Sequence, residues 1–217
     1  MDSQILILLK QATIETLYMV GLSSAIAVPL GLPVGILLIC TESNGILENR
    51  YLYSVLSWIV NIGRSIPFII LMVAVVPFTR ALVGTSIGTT AAIVPLAIAA
   101  IPFVARLVES SLKEISGGVI EAAQAMGATP WQIIRKVLIP EALPSLILGA
   151  TITAINLVGY SAMAGAIGGG GLGDLAIRYG YQRFRSDVML VTVIELVLIV
   201  QGIQMAGDWI ARKLDHR

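Results

Sequence analysis

Charged residues are spaced so sparsely along this chain that most of it has to lie out of water. None occurs between Glu15 and Glu42, between Arg80 and Arg106, or between Glu141 and Asp174. A bilayer core about 30 Å thick needs roughly 20 apolar residues in helix to cross it. Each gap exceeds that. Two further apolar stretches hold isolated charges, one with Arg64 and one with Glu195 and Asp208. The chain is 57% hydrophobic and only 12% charged, against about 25% charged for a soluble domain. The fold class expected is therefore all-α and integral to the membrane. Five transmembrane helices are predicted, over about 16–41, 54–78, 87–105, 144–166 and 188–210, in one domain covering 1–217.

Five spans put the termini on opposite sides, and the Lys/Arg bias sets which side is which. With the N-terminus outside, the cytoplasmic segments hold Arg50, Arg64, Arg106, Lys113, Arg135, Lys136, Arg212, Lys213 and Arg217. The outer segments hold Lys10, Arg80, Arg178, Arg183 and Arg185. Nine of the 14 basic residues then lie inside, so the expected topology is N-out, C-in. Met1-Asp2-Ser3-Gln4 carries no basic n-region, and the apolar stretch that follows is too long for a cleaved leader, so it reads as a retained span.

Several function classes fall away. A net charge of +1 gives no basic field for nucleic acid. With one cysteine, Cys40, and one histidine, His216, the chain has neither an internal disulfide nor a structural zinc site. No metal site and no catalytic residue is expected. None of the four lysines follows a glycine, so no phosphate-binding G-x-x-x-x-G-K-[ST] loop can be built. A membrane enzyme would need clustered nucleophile, base or metal ligands, and no such cluster is present. No cofactor is expected in this chain.

The spans are interrupted by Pro29, Pro33, Pro67, Pro77, Pro95 and Pro102. Gly31 and Gly35 stand one helical turn apart, a spacing that lets two helices approach closely. The longest polar connection runs from Arg106 to Pro144. Gly117 and Gly118 open a short helix, about 118–127, in which Val119, Ala122, Ala123 and Met126 share a face. Gly127 falls at the position after the helix where left-handed geometry is needed. Thr129 is a candidate cap for a second helix, with Pro130 in its first position. That helix runs through Trp131, Ile134 and Leu138, and Pro140 is expected to end or kink it. A short helix with a small-residue face and a carboxylate, Glu121, suits docking into a partner's groove; an interfacial helix lying on the bilayer is the plainer alternative.

Glu121-Ala122-Ala123, then Gly127, then Ile139-Pro140 reproduces the EAA motif of binding-protein-dependent ABC importer permeases. The resemblance implies a cytoplasmic coupling helix, with Glu121, Ala122, Ala123, Met126, Gly127 and Pro140 coupling the chain to a separate ATPase that binds ATP and Mg. Arg64-Ser65-Ile66-Pro67-Phe68, Gly84-Thr85-Ser86-Ile87-Gly88, Ala125 to Pro130 and Val158 to Met163 resemble the methionine importer permeases, MetI type. That implies a homodimeric type I ABC importer permease of the cell inner membrane. It also implies two ATPase subunits, a periplasmic or lipid-anchored methionine-binding protein, and uptake of L-methionine and D-methionine. Glu195 within the fifth span and the arginine-rich loop Arg178 to Arg185 depart from that family pattern.

One set of five spans is thin for enclosing a pore, so the pathway is expected where two copies meet. Candidate lining or gating residues are Asn61 and Ser65 in the second span and Thr153, Asn156, Tyr160, Ser161 and Met163 in the fourth. The same hydroxyls and amides equally suit bonds between neighbouring helices. Gly168 to Gly173 reads as a flexible outer turn, and Glu195 as a buried or hydrogen-bonded carboxyl rather than a proton relay. The alternatives to a methionine permease are a permease for another polar amino acid and an ion-coupled secondary transporter. The latter would need several intramembrane charges and usually an inverted repeat.

Overall fold

The computed structural model describes residues 3–215; His216 and Arg217, and with them one of the basic residues counted above, lie outside it. Every regular element among the described residues is a helix. The helices are α1 (Ser3–Thr41), α2 (Arg50–Ser65), α3 (Phe68–Ala74), α4 (Val76–Val83), α5 (Thr89–Lys113) and α6 (Gly117–Ala125). They continue with α7 (Pro130–Ile133), α8 (Ile139–Ala166), α9 (Gly171–Leu175) and α10 (Ser186–Leu214). Two π-helical turns, Ile134–Leu138 and Ala176–Tyr181, join α7 to α8 and follow α9.

Four helical stretches are long and apolar enough to cross a membrane, and the bent pair α2–α3 makes a fifth. Helix boundaries run beyond the charge-free windows because a charge does not stop a helix. Lys10 and Glu15 lie inside α1, and Arg106 lies inside α5. The expected second span, 54–78, is not one helix. It breaks at Ile66-Pro67 and turns through 100°. Proline has no N–H to donate, and it drives the residue before it out of helical geometry. Ile66 accordingly sits at φ −79°, ψ 122°.

Pro140 behaves otherwise than expected. It neither ends nor sharply kinks its helix. The chain stays helical from Pro130 to Ala166, widening into the π-turn Ile134–Leu138 just ahead of the proline. A wider turn accommodates a position that cannot make the regular bond.

The centre of the bundle is the pairing of α1 with α5. The two run parallel, since Ser23 meets Ile93, Gly31 meets Ile101 and Gly35 meets Ala105. A Cβ built on Gly35 would lie 2.5 Å from the Ala105 carbonyl oxygen, and one on Gly31 2.8 Å from that of Ile101. Both glycines are therefore required by backbone approach, as their spacing predicts. Helix α8 lies antiparallel across α5, with Gly149 against Leu107 and the Ser145 hydroxyl 2.9 Å from that of Ser111. Helix α10 packs on α8, where Gly207 meets Thr151. Helices α2 to α4 lie at the side of this core, with Phe68 and Met72 of α3 reaching into the buried cluster.

Gly35→Leu should destabilise the fold by about 1–3 kcal/mol through overpacking. Gly21→Ala, on the same helix with nothing within 4 Å of the added Cβ, should be neutral or slightly stabilising. Thermal unfolding of the detergent-solubilised protein distinguishes the two.

Candidate functional site: a protruding helix, a polar clasp and a glycine hairpin

The α6 stub ends as its sequence demands. Gly127 takes φ 79°. The Ala128 N–H reaches the Ala123 carbonyl at 3.1 Å, and the Gly127 N–H reaches that of Gln124 at 2.9 Å. These are the two bonds of a Schellman motif, which needs the left-handed residue between them. Thr129 then caps α7. Its hydroxyl accepts from the Gln132 N–H at 3.4 Å, while its own N–H donates to Gln132 Oε1 at 2.9 Å. This is a capping box. Thr129 and Gln132 in the sequence are its signal, of which only the cap itself is anticipated above.

The predicted common face of α6 is divided. Ala123 is 4% exposed and joins the buried cluster of Leu112, Ile115, Ile133 and Leu138. Val119, Ala122 and Met126 point away from the chain, as does Glu121. Met126 is 82% exposed, and Trp131 beside it is exposed too. The surface presented outward is therefore Val119, Ala122 and Met126. Ala123 instead holds the stub to its own bundle. Pro140 lies on the continuous helix that carries this loop into α8.

At the same end, four charges bind α1, α2 and α5 together. Glu109, 1% exposed, is met by Arg106 Nη1 at 2.5 Å and Lys113 Nζ at 3.2 Å. Tyr53 donates its hydroxyl to the same carboxylate at 3.4 Å. Arg106 Nη2 donates to Asn61 Oδ1 at 2.7 Å and Ser57 Oγ at 3.2 Å. Lys113 also reaches Glu42, past the end of α1, at 2.9 Å. Asn61, a predicted pathway residue, thus has a partner inside its own chain. Ser65 donates back to the Asn61 carbonyl at 2.7 Å and remains exposed.

The predicted residues of α8 separate in the same way. Thr153 and Ser161 are buried and donate to the carbonyls of Gly149 and Val158 at 2.9 and 2.7 Å. Asn156 and Met163 are exposed, on a face shared with Ile152 and Gly159 at three- and four-residue steps. Tyr160 stacks on Phe68 of α3, with ring centroids 4.7 Å apart and planes 3° from parallel. That stack joins the broken helix to α8.

The other end is closed by a glycine hairpin, and it is not the flexible turn expected from composition. A Cβ on Gly165 would lie 2.4 Å from the Asp174 N, and one on Gly173 2.3 Å from the Ala162 carbonyl oxygen. The Gly171 N–H donates to Glu15 Oε2 at 2.8 Å, and the Leu172 N–H to Thr16 Oγ1 at 2.9 Å. Gln11 steadies the same carboxylate through its other oxygen at 2.9 Å. Glu15 and Thr16 thus satisfy the first amides of α9 from a position 156 residues earlier in the chain. Glu195 is hydrogen-bonded as well, accepting from the Thr13 hydroxyl. In the arginine-rich loop, Arg178 pairs with Asp174, Arg183 covers Tyr179 at 4.3 Å, and Arg185 pairs with Asp187 at 2.7 Å.

Residues 27–217 match the family model described as binding-protein-dependent transport system inner membrane component. This chain belongs to that family. A permease component of this kind has relatives along nearly its whole length. One, from Vibrio cholerae, is described as a probable D-methionine transport system permease protein MetI. It is 59% identical over 97% of this chain and 93% of its own. A methionine import system permease protein MetP of Bacillus subtilis is 49% identical over 96% and 94%. Among solved structures, the inward-facing MetNI methionine ABC transporter superposes with a TM-score of 0.98 at 54% identity, covering all of both chains. An amino acid ABC transporter at 21% identity, with a TM-score of 0.77 over 95% of this chain and 94% of its own, shares the fold.

Glu15→Ala should leave the Gly171 amide without an acceptor, at a cost of about 1–3 kcal/mol. Glu15→Gln keeps an acceptor oxygen there. Amide exchange at Gly171 and Leu172 should quicken in the first variant and stay slow in the second.

Proposed function

We propose that this chain is the membrane-spanning permease subunit of an ATP-driven importer of methionine. Methionine of both configurations, released by a binding protein, passes along it to the cytoplasm. The observation that carries the substrate is the 54% identity over the entire chain with the MetNI permease. Two copies form the working unit, because the exposed face of α8 bearing Asn156, Tyr160 and Met163 has no counterpart within one chain to close a passage. Two ATPase subunits bind and hydrolyse the ATP with Mg, since this chain holds no phosphate-binding loop. The N-terminus lies outside and the C-terminus in the cytoplasm, which places α6 where an ATPase can reach it.

Glu121, Ala122 and Met126 form the face gripped by the ATPase. Gly127 and Ala123 set the angle of the stub, one through left-handed geometry and one through its buried methyl. Pro140 sits where the loop passes its motion into α8. Movement of α6 shifts α5 and α8 as units, and nucleotide state biases the outward- and inward-open forms. Asn156, Tyr160 and Met163 line the passage with Ser65 at its edge. Met163 is flexible and stands 49% exposed, so it can plug a narrow axis between two copies. Thr153 and Ser161, buried and bonded to their own helix, stiffen α8 behind that face.

The test is uptake of labelled L- and D-methionine into proteoliposomes holding this chain, its ATPase and its binding protein. ATP-dependent accumulation of both is expected. Accumulation by this chain alone without ATP would establish a secondary transporter. Uptake of another amino acid unaffected by excess methionine would reassign the substrate.

Ala122→Trp should abolish ATP-driven uptake while the folded permease is retained, because its side chain lies outside the bundle. Met163→Ala should raise passive methionine leak across the same vesicles. Unchanged leak removes the plug.

A further inference from the structure

Helix α2 is poorly held by apolar packing. Of its residues only Val60 is buried, while Tyr51, Trp58 and Ile59 are exposed. Its polar residues are arranged differently. Tyr53, Ser57 and Asn61 repeat every four positions and so form one stripe along the helix. All three bond to two residues of α5, Arg106 and Glu109, which stand one turn apart.

We propose that Arg106 is a positioning residue that makes α2 move as one body with α5, and through α2 governs the Phe68–Tyr160 stack beside the passage. This rests on reading α6 as the element an ATPase grips. Only Glu114, Ile115 and Ser116 separate α5 from α6, so α5 receives whatever displacement α6 undergoes. At the far end of α2, the bend at Ile66-Pro67 leads directly into Phe68. Phe68 is the ring stacked on Tyr160. The clasp is therefore the mechanical joint between the gripped end of the molecule and the aromatic pair on the passage.

Guanidinium suits this task better than ammonium. Its planar fork holds Glu109 through one nitrogen while the other donates to Ser57 and Asn61, and a lysine offers a single flexible point charge. Glu109 in turn needs Arg106, because a carboxylate this deeply buried is tolerated only when paired and hydrogen-bonded. Lys113 and Glu42 extend the same network to the end of α1, which anchors the joint to the core.

The experiment measures methionine uptake and ATP hydrolysis in parallel, in proteoliposomes of the full complex. Arg106→Ala should lower the uptake obtained per ATP about tenfold, a change of the size of ordinary coupling energies. Arg106→Lys should recover part of that loss. The paired variant Ser57→Ala/Asn61→Leu leaves the Arg106–Glu109 ion pair in place and removes both bonds of α2 to Arg106, so that only the Tyr53–Glu109 bond still ties the stripe to α5. It should reproduce the loss while ATP hydrolysis persists, even if Arg106→Ala fails to assemble. Unaltered uptake per ATP in the paired variant overturns the proposal. Ala122→Trp run alongside separates the two readings. If it abolishes uptake while the paired variant transports normally, the clasp is refuted and the gripped helix stands. If Ala122→Trp also transports normally, the gripped helix falls, and the clasp with it.

Discussion

The close parallel contact of α1 with α5 is the constraint on which the remaining arrangement hangs. Gly31 and Gly35 let the two backbones meet at a distance no side chain would permit, as the 2.5 Å gap between a Gly35 Cβ and the Ala105 oxygen shows. In lipid there is little hydrophobic drive between helices, so close van der Waals packing has to supply the attraction. Once α5 is fixed on α1, α8 crosses α5 through Gly149 and Ser145, and α10 follows α8 through Gly207. The broken α2–α3 segment adds Phe68 and Met72 to the buried cluster and is otherwise held by the polar stripe of α2 and the Phe68–Tyr160 stack.

The two ends of this core are built from different materials. One end is tied across helices by a linked charge network, Glu42, Arg106, Glu109 and Lys113, with the α6 stub beyond it. The other is built on close backbone approach, so tight at Gly165 and Gly173 that neither could carry a Cβ, with amides capped by Glu15 and Thr16. The first is held by an ion-pair network centred on the buried Glu109, the second by backbone interlock, and the exposed face of α8 lies between them.

Much of this was legible in the sequence where the determinant is local. The Gly127 turn, the Thr129 cap and the Gly31/Gly35 contact all depend on residues within a turn or two, and each is found where spacing puts it. The break in the second span has a local cause as well, the Ile66-Pro67 pair, but length and hydropathy alone blur it into one continuous segment. What was hidden depends on distant partners. Ala122 and Ala123 are neighbours on a helical wheel, and only the buried cluster beneath α6 decides which of them faces inward. Asn61 reads as a pathway polar residue until Arg106, 45 positions on, is found at its amide. The composition of Gly168 to Gly173 suggests looseness because its restraints lie on another helix.

That last separation also bears on how the molecule is made. Glu15 and Thr16 emerge with the first helix, yet the amides they serve arrive 156 residues later. During synthesis the Glu15 carboxylate therefore lacks these partners until α9 has been made. The first helix is thus completed by a stretch that only α10 follows among the long helices, so a truncated product lacking that stretch would be left with a polar flaw in its first helix.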